Sequence, residues 1–228
     1  MSAIRRIVSR AVHTAFPIVA PVHYKHWMEL RYWRGRYREE DRLRHSHYEY
    51  FYTTFFGLDR ADYAGQRVLD IGCGPRGSLE WIADGAECFG IDPLVPQYKA
   101  LGIDEHRMAY VHAGVEKIPF PDGDFQMVTS FNNLDHVDNI HKAVAEIKRV
   151  TSVGGTFLLI TEVEHEASAT EPQTLPRSIA SWFEPEFDIF SQGICAIRDD
   201  HDIYRSLIDN RPFNPGEEGI VYARLVRR

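Results

Sequence analysis

The sequence predicts an α/β three-layer sandwich built on a mostly parallel sheet, carried by residues 61–228 and preceded by a helical extension over residues 1–60. Three observations lead there. From Arg67 onward, short β-rich runs alternate with segments of helical period, the order that builds a parallel sheet covered by helices. The run Val68-Leu69-Asp70-Ile71 passes directly into the glycine-rich turn Gly72-Cys73-Gly74-Pro75-Arg76-Gly77. The 228 residues, 44% hydrophobic and 26% charged, have the size and composition of one globular core.

Taken in order, strands are expected at 67–72, 87–92, 108–112, 125–130 and 156–162, then at 187–197 and 219–226. Helices are expected at 78–84, 94–101 and 139–150. In the last of these Ile140, Ala143, Ile147 and Val150 recur at helical spacing, and Gly154-Gly155 marks its end before Phe157-Leu158-Leu159-Ile160. The stretch holding Pro172, Pro176 and Pro185 reads as irregular. In the N-terminal extension Tyr48, Tyr52 and Phe55 lie at i, i+4 and i+7, one helical face. With Tyr24, Trp27, Tyr32, Trp33 and Tyr37 they suit a lid over the open end of the sheet. Aromatic residues among arginines also suit stacking on single-stranded nucleic acid. Here Glu39, Glu40 and Asp41 interrupt any phosphate-tracking stripe, so no nucleic-acid partner is expected.

The net charge of −7 is uneven: residues 1–60 sum to +5 and the remainder to −12. From Met1 to Met28 there is no acidic residue before Glu29, and Arg5, Arg6 and Arg10 stand beside Ile4, Ile7, Val8 and Ala11. A helix packed on its own domain is the first reading of this segment. A peripheral membrane contact and a transit segment are the alternatives. No apolar run approaches the ~20 residues of a bilayer span. Cys73, Cys88 and Cys195 are widely spaced and odd in number, which suits reduced thiols in a cytoplasmic setting, without a disulfide framework or structural metal.

The glycine turn carries the functional argument. Glycines at 72 and 74 permit a tight turn and close approach of a ligand, and the helix expected next offers unpaired N–H groups. Gly72, Gly74 and Gly77, with Asp92 at the end of the following strand, also satisfy the dinucleotide pattern G-x-G-x-x-G. Asp70 speaks against that reading, because a carboxylate at the strand's mouth repels a pyrophosphate and welcomes a positively charged ligand. Asp92 suits a helix N-cap before Leu94 as well.

Four blocks in order resemble the class I S-adenosylmethionine-dependent methyltransferases, and more narrowly their small-molecule and sugar-directed type 11 group, over roughly residues 60–165. They are Val68 to Gly74, Gly90-Ile91-Asp92, Gly114 to Phe125, and Asn132 to Val137. The resemblance implies a Rossmann-like sheet of seven strands with the last antiparallel, and S-adenosyl-L-methionine as cofactor. It implies that Asp70, Gly72, Cys73 and Gly74 face the methionine part and that Asp92, followed by Pro93, faces the ribose. Val115 and Glu116 would then lie beside the adenine and Asn132 beside the transferable methyl, although Glu116 equally suits a loop-organising role. Two positions depart from the family pattern. Gly114 stands where an aspartate commonly reads the adenine amino group, leaving the backbone of Val115 to read the ring, and Gln126 stands where an aspartate is common.

The expected function is methyl transfer to a small-molecule or sugar or glycan-precursor acceptor, with O-methylation favoured. A hydroxyl acceptor must lose its proton, and two histidines at carboxyl ends of expected strands compete to take it. His136, next to Asp135, is the first choice and His165 the second. Glu162, Glu164, His165, Glu166 and Glu171 together suit either a divalent cation or a polar loop lining the acceptor pocket. The loop is preferred and no metal is expected. The alternatives are a non-catalytic cofactor-binding scaffold and an NAD-dependent oxidoreductase. The latter lacks a Tyr-x-x-x-Lys pair after the fourth strand.

Overall fold

A residue period of two sorts each strand's side chains into two layers, and the molecule is organised by that sorting. In the computed structural model, which describes residues 21–43, 48–82 and 85–228, Leu69 and Ile71 of β1 (Arg67–Ile71) join one apolar cluster and Val68 joins another. Phe157 and Leu159 of β5 (Thr151–Val163) likewise divide from Leu158 and Ile160. The basic segment before residue 21, and with it the reading of a membrane contact, lies outside the described residues.

The other strands are β2 (Glu87–Asp92), β3 (Ala109–His112), β4 (Phe125–Phe131), β6 (Phe187–Ala196) and β7 (Gly219–Arg227). They form one seven-stranded sheet in the order β3-β2-β1-β4-β5-β7-β6. β1 to β5 pair in parallel, and β7 runs antiparallel to both β5 and β6. The seven strands and the antiparallel last strand agree with the expectation. The order reverses at β1, which lies between β2 and β4, so the crevice at the carboxyl ends of these strands is the place where an open α/β sheet takes a ligand.

One face is covered by α4 (Ile140–Val150), whose Ile140, Ala143, Val144, Ile147 and Val150 are buried at helical spacing. Asn139 caps this helix by accepting from Lys142 N at 3.0 Å. On the other face Phe51 and Tyr52 of α2 (Glu49–Tyr52), with Phe56 and Leu58, pack on Val68, Met127, Leu158 and Ile160. The other α-helices among the described residues are α1 (Pro21–Glu40), α3 (Val95–Tyr98) and α5 (Ile203–Asp209). No helix among the described residues is long and apolar enough to cross a membrane.

Three expectations about elements are corrected. No helix forms at 78–82; the segment runs in turns closed by Glu80 N to Gly77 O and Ile82 N to Leu79 O, both 3.0 Å. Its polar groups are engaged elsewhere: Ser78 donates to Asp70, and Glu80 accepts from the backbone of Arg107 and Met108. The helix expected over 94–101 is a single α-turn continued as a 3-10 turn over Lys99–Leu101. β5 begins at Thr151 and runs through Gly154-Gly155, because the chain leaves α4 directly into pairing with Phe125 before a register shift.

Candidate active site

The crevice at the switch point is bounded by the turn after β1. Gly72 sits at φ +66°, where a Cβ would come within 2.8 Å of the Asn133 side chain, so only glycine fits. Gly72 N donates to Ile91 O at 2.9 Å, which ties this turn to the end of β2. There the Asp92 carboxylate accepts from Leu94 N at 2.8 Å and from Gly74 N at 3.3 Å. Burial lifts its pKa to about 7, against the two backbone donors and with help from the Glu29 carboxylate.

Asp70 lies one layer deeper, 2% exposed, accepting from Thr129 Oγ1 at 2.6 Å and Tyr52 Oη at 3.1 Å and from the Ser78 hydroxyl. Burial outweighs these three neutral donors and raises its pKa to about 6. No cation is among its hydrogen-bond partners in the described residues, which suits a carboxylate open to a positively charged ligand.

Two cavities open from this turn. The smaller, about 260 Å³, is lined by Gly72, Asp92, Pro93, Gly114, Val115 and Glu116. The larger, about 1430 Å³, is lined by Asp70, Cys73, Gly74, Phe131, Tyr52 and Tyr204 among others. Lys25, Glu29, Gly72, Asn132 and His136 belong to both walls. Asn132 takes a left-handed backbone, φ +53°, and its Oδ1 is buried with no hydrogen-bond partner among the described residues. The adenine-side loop is braced from α4: Arg149 donates to the carbonyls of Ile118 and Phe120, and Glu146 accepts from Ile118 N.

The expected residues therefore gather with the following differences. Cys73 is buried on the wall and its thiol pKa is pushed up by burial, so it fills space. Glu116 lines the smaller cavity, but its Oε1 accepts from Asp138 N at 2.8 Å and organises the loop after β4. Gln126 accepts from Arg67 N at 2.9 Å at the far end of β1, a structural contact. His136 stands where the cavities meet. His165 lines neither cavity; it is 6% exposed, with Nδ1 3.0 Å from Glu166 O, so a direct contact with acceptor is corrected to a position behind Asp135.

α1 supplies residues that sequence reading missed. Lys25 and Glu29, missed in sequence, and Trp33, expected as a lid residue, stand four apart and present one face to the crevice. Lys25 Nζ donates to His136 O at 2.7 Å and to Asp138 Oδ1 at 2.6 Å. Trp33 packs on Gly74, where a Cβ would meet its ring at 2.9 Å. Arg76 donates twice to Glu40, both at 2.7 Å, at the helix's other end. The spacing of these polar residues was the available signal, masked by the aromatics around them.

A single parallel-cored sheet covered on both faces, with a glycine turn on β1, a carboxylate ending β2 and a cleft across both, is the architecture of proteins that bind nucleoside-bearing cofactors. Residues 69–159 match the family model described as a methyltransferase domain, and the fold and cleft are similar to those of S-adenosylmethionine-dependent methyltransferases. The chain is 33% identical over 119 residues to the chloroplastic tocopherol O-methyltransferase of Arabidopsis thaliana, covering 49% of this chain and 34% of that protein. It is 27% identical over 139 residues to ajmaline N-methyltransferase of Rauvolfia serpentina, covering 53% and 47%. It thus spans a third to a half of the length of these relatives. Among solved structures, geranyl diphosphate C-methyltransferase of Streptomyces coelicolor, in complex with Mg2+, geranyl diphosphate and S-adenosylhomocysteine, superposes with a TM-score of 0.53 at 18% identity, covering 74% and 75%.

The residues present fit the cofactor. Asp70 is a buried carboxylate that would suit an ammonium, Asp92 is one that would suit ribose hydroxyls, Asn132 has a buried acceptor without a partner among the described residues, and Gly72 leaves room for close approach.

Proposed function

We propose that this chain transfers a methyl group from S-adenosylmethionine to a small-molecule or sugar-like acceptor, on oxygen. The observation that carries the reading is the meeting of the two cavities at Gly72, Asn132 and His136. The smaller cavity has the family's nucleoside residues, and the larger is walled by Tyr48, Phe51, Tyr52, Phe131 and Tyr204, flat faces suited to a sugar or planar ring. When bound, the cofactor supplies an electrophilic methyl whose C–S bond breaks with the electron pair staying on sulfur.

The chain's own work is alignment, which is worth about 7–11 kcal/mol when the reacting atoms are held near attack distance. Asp70, Asp92 and the glycine turn fix the donor side. The aromatic wall fixes the acceptor, and its hydroxyl proton is released at the Asp135–His136 pair. α1, strapped by Lys25 and Arg76, acts as a lid that keeps water from the junction. The setting proposed is cytoplasmic, with a peripheral membrane contact through the basic N-terminal segment as the alternative.

The test is a label assay: the purified protein, S-adenosylmethionine labelled on the methyl, and a panel of sugars, phenols and amines. The expected result is label on an acceptor oxygen with S-adenosylhomocysteine formed one for one. Label on nitrogen or carbon alone would overturn the O-methylation reading, and cofactor binding with no acceptor turned over would favour a scaffold.

A further inference from the structure

Behind the cavity junction lies a cluster that alignment does not explain. Asp135, in the 3-10 turn Leu134–His136 that follows β4, is fully buried, and neither of its carboxylate oxygens has a hydrogen-bond partner among the described residues. His136 Nε2 lies 3.6 Å from its Oδ2 and His165 Nε2 lies 3.8 Å from the same atom, too far for hydrogen bonds. His165 Nε2 is itself buried and unpartnered.

The tautomer of His165 follows from its other nitrogen. Nδ1 is 3.0 Å from the Glu166 carbonyl, an acceptor, so Nδ1 carries the hydrogen. In the neutral ring Nε2 then presents a lone pair toward a carboxylate oxygen, with no proton between them. An imidazole whose far N–H is held by a carbonyl is the arrangement that prepares a histidine to bind a metal. Glu171 completes the set: donor atoms of Asp135, His136 and Glu171 all lie within 4.8 Å of one another. Two donors on one cation at about 2.1 Å each are at most about 4.2 Å apart. Spacings above that bound would close by rotation of His136 and Glu171, the two less buried side chains, which also line the larger cavity. Of the other acidic residues in the stretch, Glu164 turns away to accept from Arg177 N at 3.0 Å.

We propose that Asp135, His136 and Glu171, backed by His165, bind a divalent cation of the kind that accepts mixed imidazole and carboxylate ligands, such as Mn2+ or Zn2+, at the edge of the acceptor cavity. Asp135 approaches from the buried side while His136 and Glu171 line the cavity, so the cation's open positions face the cavity. Resting on the methyl-transfer reading, this narrows the acceptor to one with adjacent oxygens able to chelate. With the cation bound, His136 serves as a ligand in place of a base, and the coordinated hydroxyl, acidified, gives its proton to solvent water. Spacing along the chain favoured a polar loop because it could not show that residues 135–136 and 165–171 converge.

The experiment is a Mn2+ titration of the chelator-treated full chain, followed by loss of the free-ion electron paramagnetic resonance signal, with S-adenosylhomocysteine affinity measured on the same samples. The expected result is one Mn2+ per chain, displaced by Zn2+ and weakened by at least ~10-fold in Glu171→Gln and in Asp135→Asn. The exposed-side variant Glu171→Gln keeps the test valid where the buried one fails to fold. No bound Mn2+ or Zn2+ at millimolar concentration, or binding unchanged in Glu171→Gln, would overturn the site. Should Mn2+ bind as expected while S-adenosylhomocysteine does not, the cation site stands and the cofactor reading falls. The reverse outcome leaves the methyltransferase reading and removes the cation.

Discussion

His136→Ala is expected to slow methyl transfer by about 10²–10⁴-fold while leaving S-adenosylhomocysteine affinity within about twofold, measured by single-turnover label transfer and by calorimetry on the same preparation. The split follows from where the residue sits. His136 lies at the junction of the two cavities, with Nε2 toward Asp135, and its backbone carbonyl, not its ring, receives Lys25. Removing the ring therefore leaves the lid strap and the Asp92 cleft in place and removes only what acts on the acceptor. An equal loss of cofactor affinity would make His136 a wall residue of the nucleoside cleft, and unchanged turnover would make it structural.

Asp92→Ala is expected to weaken S-adenosylmethionine binding by about 1.5–3 kcal/mol for each charge-assisted hydrogen bond lost, a few kcal/mol at most. The pH dependence of the wild type carries a sign. Because burial holds the Asp92 pKa at about 7 in the cofactor-free chain, the ionised form proposed to accept ribose hydroxyls is scarce below that pH. Affinity is expected to rise from pH 6 to pH 8 and then level off, and Asp92→Asn is expected to flatten the profile. Stability of the cofactor-free chain runs the other way. A carboxyl whose folded pKa exceeds its unfolded value of 3.8 keeps its proton in the folded state, so its contribution is present at low pH and is lost as pH rises toward about 7. Asp70, raised to about 6, acts in the same direction. Asp92→Asn is accordingly expected to be more stable than wild type at pH 8, by roughly 1–3 kcal/mol, with the difference shrinking steadily as pH falls toward the unfolded carboxyl's own range near 4, as read by denaturant unfolding. A cofactor site held at a cost in stability is the physical content of that difference.

Much of this was legible in the chain. The strands could be read because period-two alternation and turn residues are local signals, and Gly72, Gly74 and Asp92 because backbone freedom and a strand-end carboxylate mark a crevice wherever the sheet reverses. Residues 78–82 read as a helix by pattern, yet Ser78 and Glu80 give their side chains to Asp70 and to the Arg107–Met108 backbone, contacts distant in sequence. The start of β5 at Thr151 depended on pairing with Phe125, which no local window contains. The pairing of Asp135 with His165 and Glu171 is of the same kind: two loops after adjacent parallel strands, β4 and β5, are brought together by the sheet register. Lys25 and Glu29 were hidden because a helix that covers a cleft shows a polar face where a core-facing helix shows an apolar one.

The central claim, that the cleft between Gly72 and Asp92 takes S-adenosylmethionine, is tested most directly by calorimetric titration of the full chain with S-adenosylmethionine and S-adenosylhomocysteine, and with NADH and NADPH in parallel. The account predicts one-to-one binding of the first two, weakened in Asp92→Ala, and no heat from the nicotinamides. Binding of a nicotinamide cofactor in place of both sulfur compounds would contradict it.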